Sequence, residues 1–103
     1  MKLDVKKYRI LAALDGELLL RKLCEEKKIE VTIQTCYIWF EGNWCVEFSV
    51  IPLNQKRWTE AAKKFGASFV ASKYVVFETK NDALAFCIYV LNEWTVCLAE
   101  KWE

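Results

Sequence analysis

Apolar and polar positions follow two periods along this chain, and the longest apolar pattern comes last. Residues 81–102 (NDALAFCIYVLNEWTVCLAEKW) read as a helix. At 100° per residue, Leu84, Phe86, Cys87, Ile88, Val90, Leu91, Trp94, Cys97, Leu98 and Trp102 cover roughly 200° of arc, about twice the stripe of an ordinary surface helix. Asp82, Asn92, Glu93 and Glu100 mark one narrow polar side, with Tyr89 and Val96 among them. Such a helix needs a sheet on one flank and a second cover on the other, either the N-terminal helical region or another protein chain. Asn81 or Asp82 can cap its start, and Asp82 complements the positive end of the helix dipole. The apolar run 83–91 stops at Asn92 and Glu93, far short of the ~20 residues that cross a bilayer.

Upstream, residues 4–14 (DVKKYRILAAL) are expected to be helical, with Val5, Tyr8, Leu11 and Ala12 near one side; a short strand is the alternative. Asp15-Gly16 interrupts the pattern, and residues 17–28 form a second helix with Leu19, Leu20, Leu23 and Cys24 on a face that does not continue the first. The segment 30–40 (EVTIQTCYIWF) then changes to period two, sending Val31, Ile33, Thr35, Tyr37 and Trp39 one way. After Glu41-Gly42-Asn43, residues 44–51 run back with Trp44, Val46, Phe48 and Val50 on a common face. A two-residue Gly42-Asn43 loop would set Trp39 opposite Val46, Tyr37 opposite Phe48 and Thr35 opposite Val50. The other face of this hairpin is mixed: Gln34, Cys36, Ile38 and Phe40 beside Cys45, Glu47, Ser49 and Ile51.

Pro52 closes the strand, and residues 53–65 (LNQKRWTEAAKKF) read as a helix capped by Asn54, with Trp58, Ala61, Ala62 and Phe65 inward and Gly66 as a left-handed stop. Residues 67–79 are β again, either one long strand or, the favoured reading, two short ones around Ala71-Ser72-Lys73. The sum is a single α+β domain over residues 1–103, two-layered, with helices mainly on one face of an antiparallel sheet in the order α(α)ββαββα. The stretch Ile10 to Glu17 (ILAALDGE) resembles the opening of winged-helix domains. That fold also needs a recognition helix before its hairpin, and this chain goes from Lys28 directly into a strand.

Composition narrows the functional classes. A chain of 103 residues with 54% hydrophobic side chains can fold without metals or disulfides. Fifteen Lys and Arg against 14 Asp and Glu give a net charge of +1, so no overall field points to nucleic acid or an anionic membrane. Five cysteines form an odd set without CxxC spacing, and the N-terminal MKLDVKKYRI lacks the apolar stretch of a signal peptide, so free thiols and a cytoplasmic location are expected. Histidine is absent, which removes the commonest general base and the usual zinc sets. Three isolated glycines build no phosphate loop, and no serine lies in a GxSxG elbow. We therefore expect no enzyme, no cofactor and no metal.

What is left is binding. The first expectation is a non-catalytic protein-binding module, an inhibitor or adaptor of a larger complex. Ile38, Phe40, Glu47, Tyr89, Val96 and Trp102 are its candidate contacts, and a second copy of the chain is one candidate partner. Small size, absent chemistry and many aromatics also suit phage and mobile-element accessory proteins such as anti-CRISPR proteins, though no motif marks membership. The second expectation is nucleic-acid binding through Lys56, Arg57, Lys63, Lys64 and Lys73, with an aromatic nearby for stacking. The third is a structural homodimer.

Overall fold

The computed structural model describes residues 3–50 and 54–93. Its elements are α1 (Val5–Lys27), β1 (Val31–Thr35), β2 (Trp44–Phe48), α2 (Gln55–Lys64), β3 (Phe69–Val70), β4 (Tyr74–Phe77) and α3 (Lys80–Asn92). The four strands form one antiparallel sheet in the order β1-β2-β4-β3. The expected α+β order therefore stands, including the two short strands on either side of Ala71-Ser72-Lys73.

Local chemistry sets the helix ends. The Asp4 side chain accepts from the Lys7 N–H, that of Asn54 from the Arg57 N–H, and the Thr79 hydroxyl from the Asp82 N–H, each satisfying an orphan amide of a first turn. The cap of α3 is thus Thr79, two or three residues earlier than the expected Asn81 or Asp82. After α2 the chain turns at Gly66, whose φ of 87° is in the left-handed region, while the Ala67 N–H closes back on the Ala62 carbonyl.

The two N-terminal helical stretches expected from the sequence follow one another in α1 across a kink at Asp15, which alone leaves helical geometry, at φ −138° and ψ 32°. Gly16 next to it has a packing role as well. It is buried against α3, and a Cβ there would stand 3.1 Å from Leu84 Cδ1 and 3.5 Å from the Ala12 Cβ. A missing side chain lets the two helices approach closely at this point.

The helix α3 is the centre of the fold. Every residue from 83 to 91 is buried. Phe86 sends its ring into an aromatic cage: Phe77 lies 5.3 Å away, Trp58 5.2 Å, Phe65 6.0 Å and Phe48 6.4 Å between centroids. Phe48 and Phe77 come from the sheet and Trp58 and Phe65 from α2 and its end, so α2 and α3 share one sheet face. The remaining flank of α3 is closed by α1, through Tyr8, Ala12, Gly16, Leu20 and Leu23. Of the two covers that the sequence left open, the described chain uses its own N-terminal helix. Residues 94–102 of the expected longer helix lie outside the described residues.

The hairpin differs from expectation in register. Val31 pairs with Phe48, Ile33 with Val46 and Thr35 with Trp44, leaving an eight-residue connection, 36–43, in place of a two-residue turn. The shift from the expected pairing is an even number of residues, so side chains keep their faces: Ile33, Val46 and Phe48 still point at α3. Tyr37 and Trp39, expected in strand on the same face as Ile33, are instead released into the connection. Pairing the short apolar stretch Val31 to Ile33 with Val46 to Phe48 covers α3, and it frees Phe40 to fold onto the opposite side of the sheet, where its ring meets Phe69 at 5.2 Å.

Two stability measurements test this packing. Gly16→Val places a branched side chain where even one carbon is tight, and is expected to cost about 1–3 kcal/mol in urea unfolding. Phe86→Ala empties the aromatic cage and is expected to cost about 3–5 kcal/mol.

Candidate functional site

The sheet has an inner face closed by helices and an outer face that is only partly covered. Alternation places Thr32, Gln34, Cys45, Glu47, Tyr74, Val76 and Phe69 on the outer side. Val76, between Cys45 and Phe69, is nonetheless buried. The connection 36–43 folds over this side, with Phe40 against Phe69 and Phe69 in turn 5.9 Å from the Tyr74 ring.

This connection is tied down at its base and presents its tip. The Cys36 N–H donates to the Asn43 carbonyl at 2.9 Å, the Asn43 N–H to the Phe40 carbonyl at 2.9 Å, and Asn43 Nδ2 to Ser68 Oγ at 3.4 Å. Gly42 takes φ 91°, a conformation that suits glycine. At the tip, the Phe40 N–H reaches back two residues to the Ile38 carbonyl at 2.6 Å, and Trp39 between them has φ 62°. That is a γ-turn of the rare, positive-φ kind, centred on a bulky aromatic. Trp39 is 92% exposed, Tyr37 79% and Ile38 68%. Three large apolar side chains thus stand in solvent on a hydrogen-bonded frame whose third aromatic, Phe40, is fastened to the sheet.

The candidate partner contacts divide across the molecule. Ile38 and Phe40 belong to this loop, and Glu47 lies on the same side of the sheet, opposite Tyr74. Tyr89 does not belong with them. It is buried, with its ring 5.5 Å from Tyr8 and 5.6 Å from Phe65, because α1 covers the side of α3 that a helical wheel marks as polar. Val96 and Trp102 lie outside the described residues. The sequence missed Tyr37, Trp39, Phe69 and Tyr74. Period two placed the first pair on the strand face shared with Val31 and Ile33, and only the long connection reverses that. The run CYIWFEGNW, with four aromatics around one glycine, is the signal that could have pointed to them.

The basic set is arranged differently. Lys56, Lys63 and Lys64 are exposed on α2, Arg57 is half-buried there, and Glu60 sits on the same exposed side. Lys73 lies in the β3–β4 turn, which is anchored to α2 by the Trp58 Nε1–H donating to the Ala71 carbonyl at 3.0 Å. The Glu60 carboxylate dilutes the cationic face, and no aromatic of α2 is exposed for stacking, since Trp58 is buried.

The thiols sit where ionisation is disfavoured. Burial pushes Cys87 well above the ordinary thiol value of 9.0. Burial also raises Cys45, with smaller contributions from the neighbouring Cys36 thiol and the Glu47 carboxylate, and it raises Cys24 against a lowering hydrogen bond from the Val31 N–H. A cysteine nucleophile needs the opposite shift. Cys24, Cys36 and Cys45 are half-buried and only Cys87 is fully buried, so the thiols are less uniformly enclosed than apolar flanking residues suggest; Cys97 lies outside the described residues. Among the described residues, Glu17 is the one carboxylate with a resolved shift, downward, from its hydrogen bond and charge pairing with Lys80. That pair is exposed and joins α1 to α3.

No family model, curated protein or solved structure matches this chain.

The thiols set a pH dependence. Raised folded-state values mean that the unfolded chain loses these protons first, so the stabilisation is present below the ordinary thiol value and is lost as pH rises through the folded values. Urea midpoints are expected to fall between about pH 8 and about pH 10, and Cys87→Ala is expected to flatten that decline.

Proposed function

We propose that the protein is a non-catalytic binding module that docks a protein partner through the loop 36–43 and the adjoining outer face of the sheet. One observation carries the reading: a tryptophan held in solvent at the apex of a positive-φ turn. Backbone conformations of this kind cost of order 1–3 kcal/mol and persist where the surroundings over-determine them. Here the surroundings are the Phe40 contact with Phe69 and the hydrogen bonds at Asn43. A loop fixed before binding loses little entropy on docking, and exposed Trp, Tyr and Ile supply the anchors on which interface energy concentrates.

The partner that suits these groups offers an apolar cleft for Trp39 and Ile38 with polar groups at its rim. The alternative of a phosphate backbone is less well served. Glu47 faces the same side as the loop aromatics, and the lysines of α2 are on a helix that packs against the other sheet face.

The test is capture by the tagged full-length chain from a nuclease-treated lysate of the cells that make it, followed by direct binding of the captured protein. Trp39→Ala is expected to weaken that binding by about thirtyfold or more, as hot-spot truncations do, while the unfolding midpoint stays within about 0.5 kcal/mol of the parent. Undiminished binding by Trp39→Ala sinks the loop assignment. Binding that needs nucleic acid and vanishes on charge reversal of Lys56, Arg57, Lys63 and Lys64 replaces it with the cationic face.

A further inference from the structure

The sheet has a second open feature, the free edge of β1, and it borders a groove on the α1 side of the sheet. The pairing with β2 defines which backbone groups face outward. The Cys36 N–H donates to Asn43 and the Ser49 N–H to Glu30, so the even-numbered residues of β1 are bonded to β2. Val31, Ile33 and Thr35 therefore turn their N–H and C=O groups to the free edge. The Val31 N–H lies toward the Cys24 thiol of α1, where it favours the ionised form of that thiol. Those of Ile33 and Thr35 have no partner among the described residues.

Alongside this edge runs a groove of about 900 Å³ between β1, the second half of α1 and the start of α3. Its apolar lining comes from Leu20, Cys24, Ile29, Ile33 and Leu84. At its wall the charges cancel: Glu17, Glu25 and Glu30 against Arg21, Lys28 and Lys80, with Glu17 and Lys80 already paired to each other. Balanced charge offers nothing to a phosphate or a polyion, and unpaired backbone groups offer nothing to a purely apolar ligand.

We propose that this groove binds an uncharged, extended peptide segment of another protein, which adds to β1 as a further strand and turns alternate apolar side chains toward Leu20 and Leu84. An added strand satisfies the Ile33 and Thr35 groups by ladder hydrogen bonds, and the pocket beside the edge selects its side chains. The site does not depend on the loop 36–43, so the Trp39→Ala chain retains it.

The probe is acetyl-Val-Thr-Val-Thr-Val-amide, titrated into the labelled full-length chain while amide exchange is followed by NMR. Exchange at Ile33 and Thr35 is expected to slow by about tenfold or more at saturation, with smaller changes on β3. Thr35→Pro removes one outward donor at an edge position where proline is tolerated, and is expected to weaken binding about tenfold. Methylating the peptide's own amides must weaken binding similarly, whatever the fate of the proline variant. The charged peptide acetyl-Lys-Thr-Lys-Thr-Lys-amide is expected to bind at least about tenfold less tightly. Unchanged exchange at Ile33 and Thr35, or equal binding of the methylated or the charged peptide, overturns the proposal. Protection of the same two amides on raising protein concentration without peptide overturns it too, in favour of a second copy at this edge.

Discussion

Nine successive buried residues on one helix impose the constraint that governs this molecule. A helix apolar on nearly all sides cannot rest on a sheet alone, because the sheet covers one flank and leaves the other in water. Burying each large side chain is worth roughly 1.5–3 kcal/mol, so leaving a flank of α3 open would forfeit several such contributions. The chain meets the demand with three covers: the inner sheet face, the end of α2, and α1 laid along the remaining side. Gly16 is where that last cover works, since the close contact with Leu84 needs a residue without a side chain.

Polar groups then settle the rim around this core. Arg9 bonds Asp82 at 3.0 Å and the Phe65 carbonyl at 3.3 Å, while Asn81 Nδ2 donates to the Arg9 carbonyl at 3.3 Å. These contacts join α1 to both neighbours at once. Their worth lies in orientation more than in energy, since Arg9 and Asp82 are partly solvated and such pairs contribute little. Lys80 does similar work at the groove, pairing with Glu17 and lying 5.4 Å above the Trp44 ring.

With the inner face consumed by the core, what stays open is what the core does not need. That comprises the outer sheet face with its loop, the free edge of β1, and an exposed row on α1 formed by Ile10, Leu14 and Leu18. The loop stands out among them because it holds large side chains in water on a frame of specific hydrogen bonds. The edge stands out because the outward backbone groups of Ile33 and Thr35 have directional demands that no described residue meets. Both lie on the β1–β2 hairpin, so the same eight-residue connection that displaced the expected turn created the first and bounds the second.

Much of the architecture was legible along the chain. Period two in 30–40 and 44–51, Asn54 and Gly66 around a helix, and paired short strands about Ala71-Ser72-Lys73 reflect local physics, where backbone preference and side-chain alternation act within a few residues. The inward set Ile33, Val46 and Phe48 followed from the same alternation, and survived a wrong register because an even shift preserves faces. The kink at Asp15 and Gly16 was visible as a break in the apolar stripe. What the chain in itself determined was that α3 had to be covered on two flanks. Which surface would supply the second cover, that Tyr89 would be hidden by it, and that Tyr37 and Trp39 would leave the core face were decided only in three dimensions. Those outcomes depend on contacts between residues dozens of positions apart, such as Gly16 with Leu84 and Phe40 with Phe69, and no local pattern encodes the distance between them.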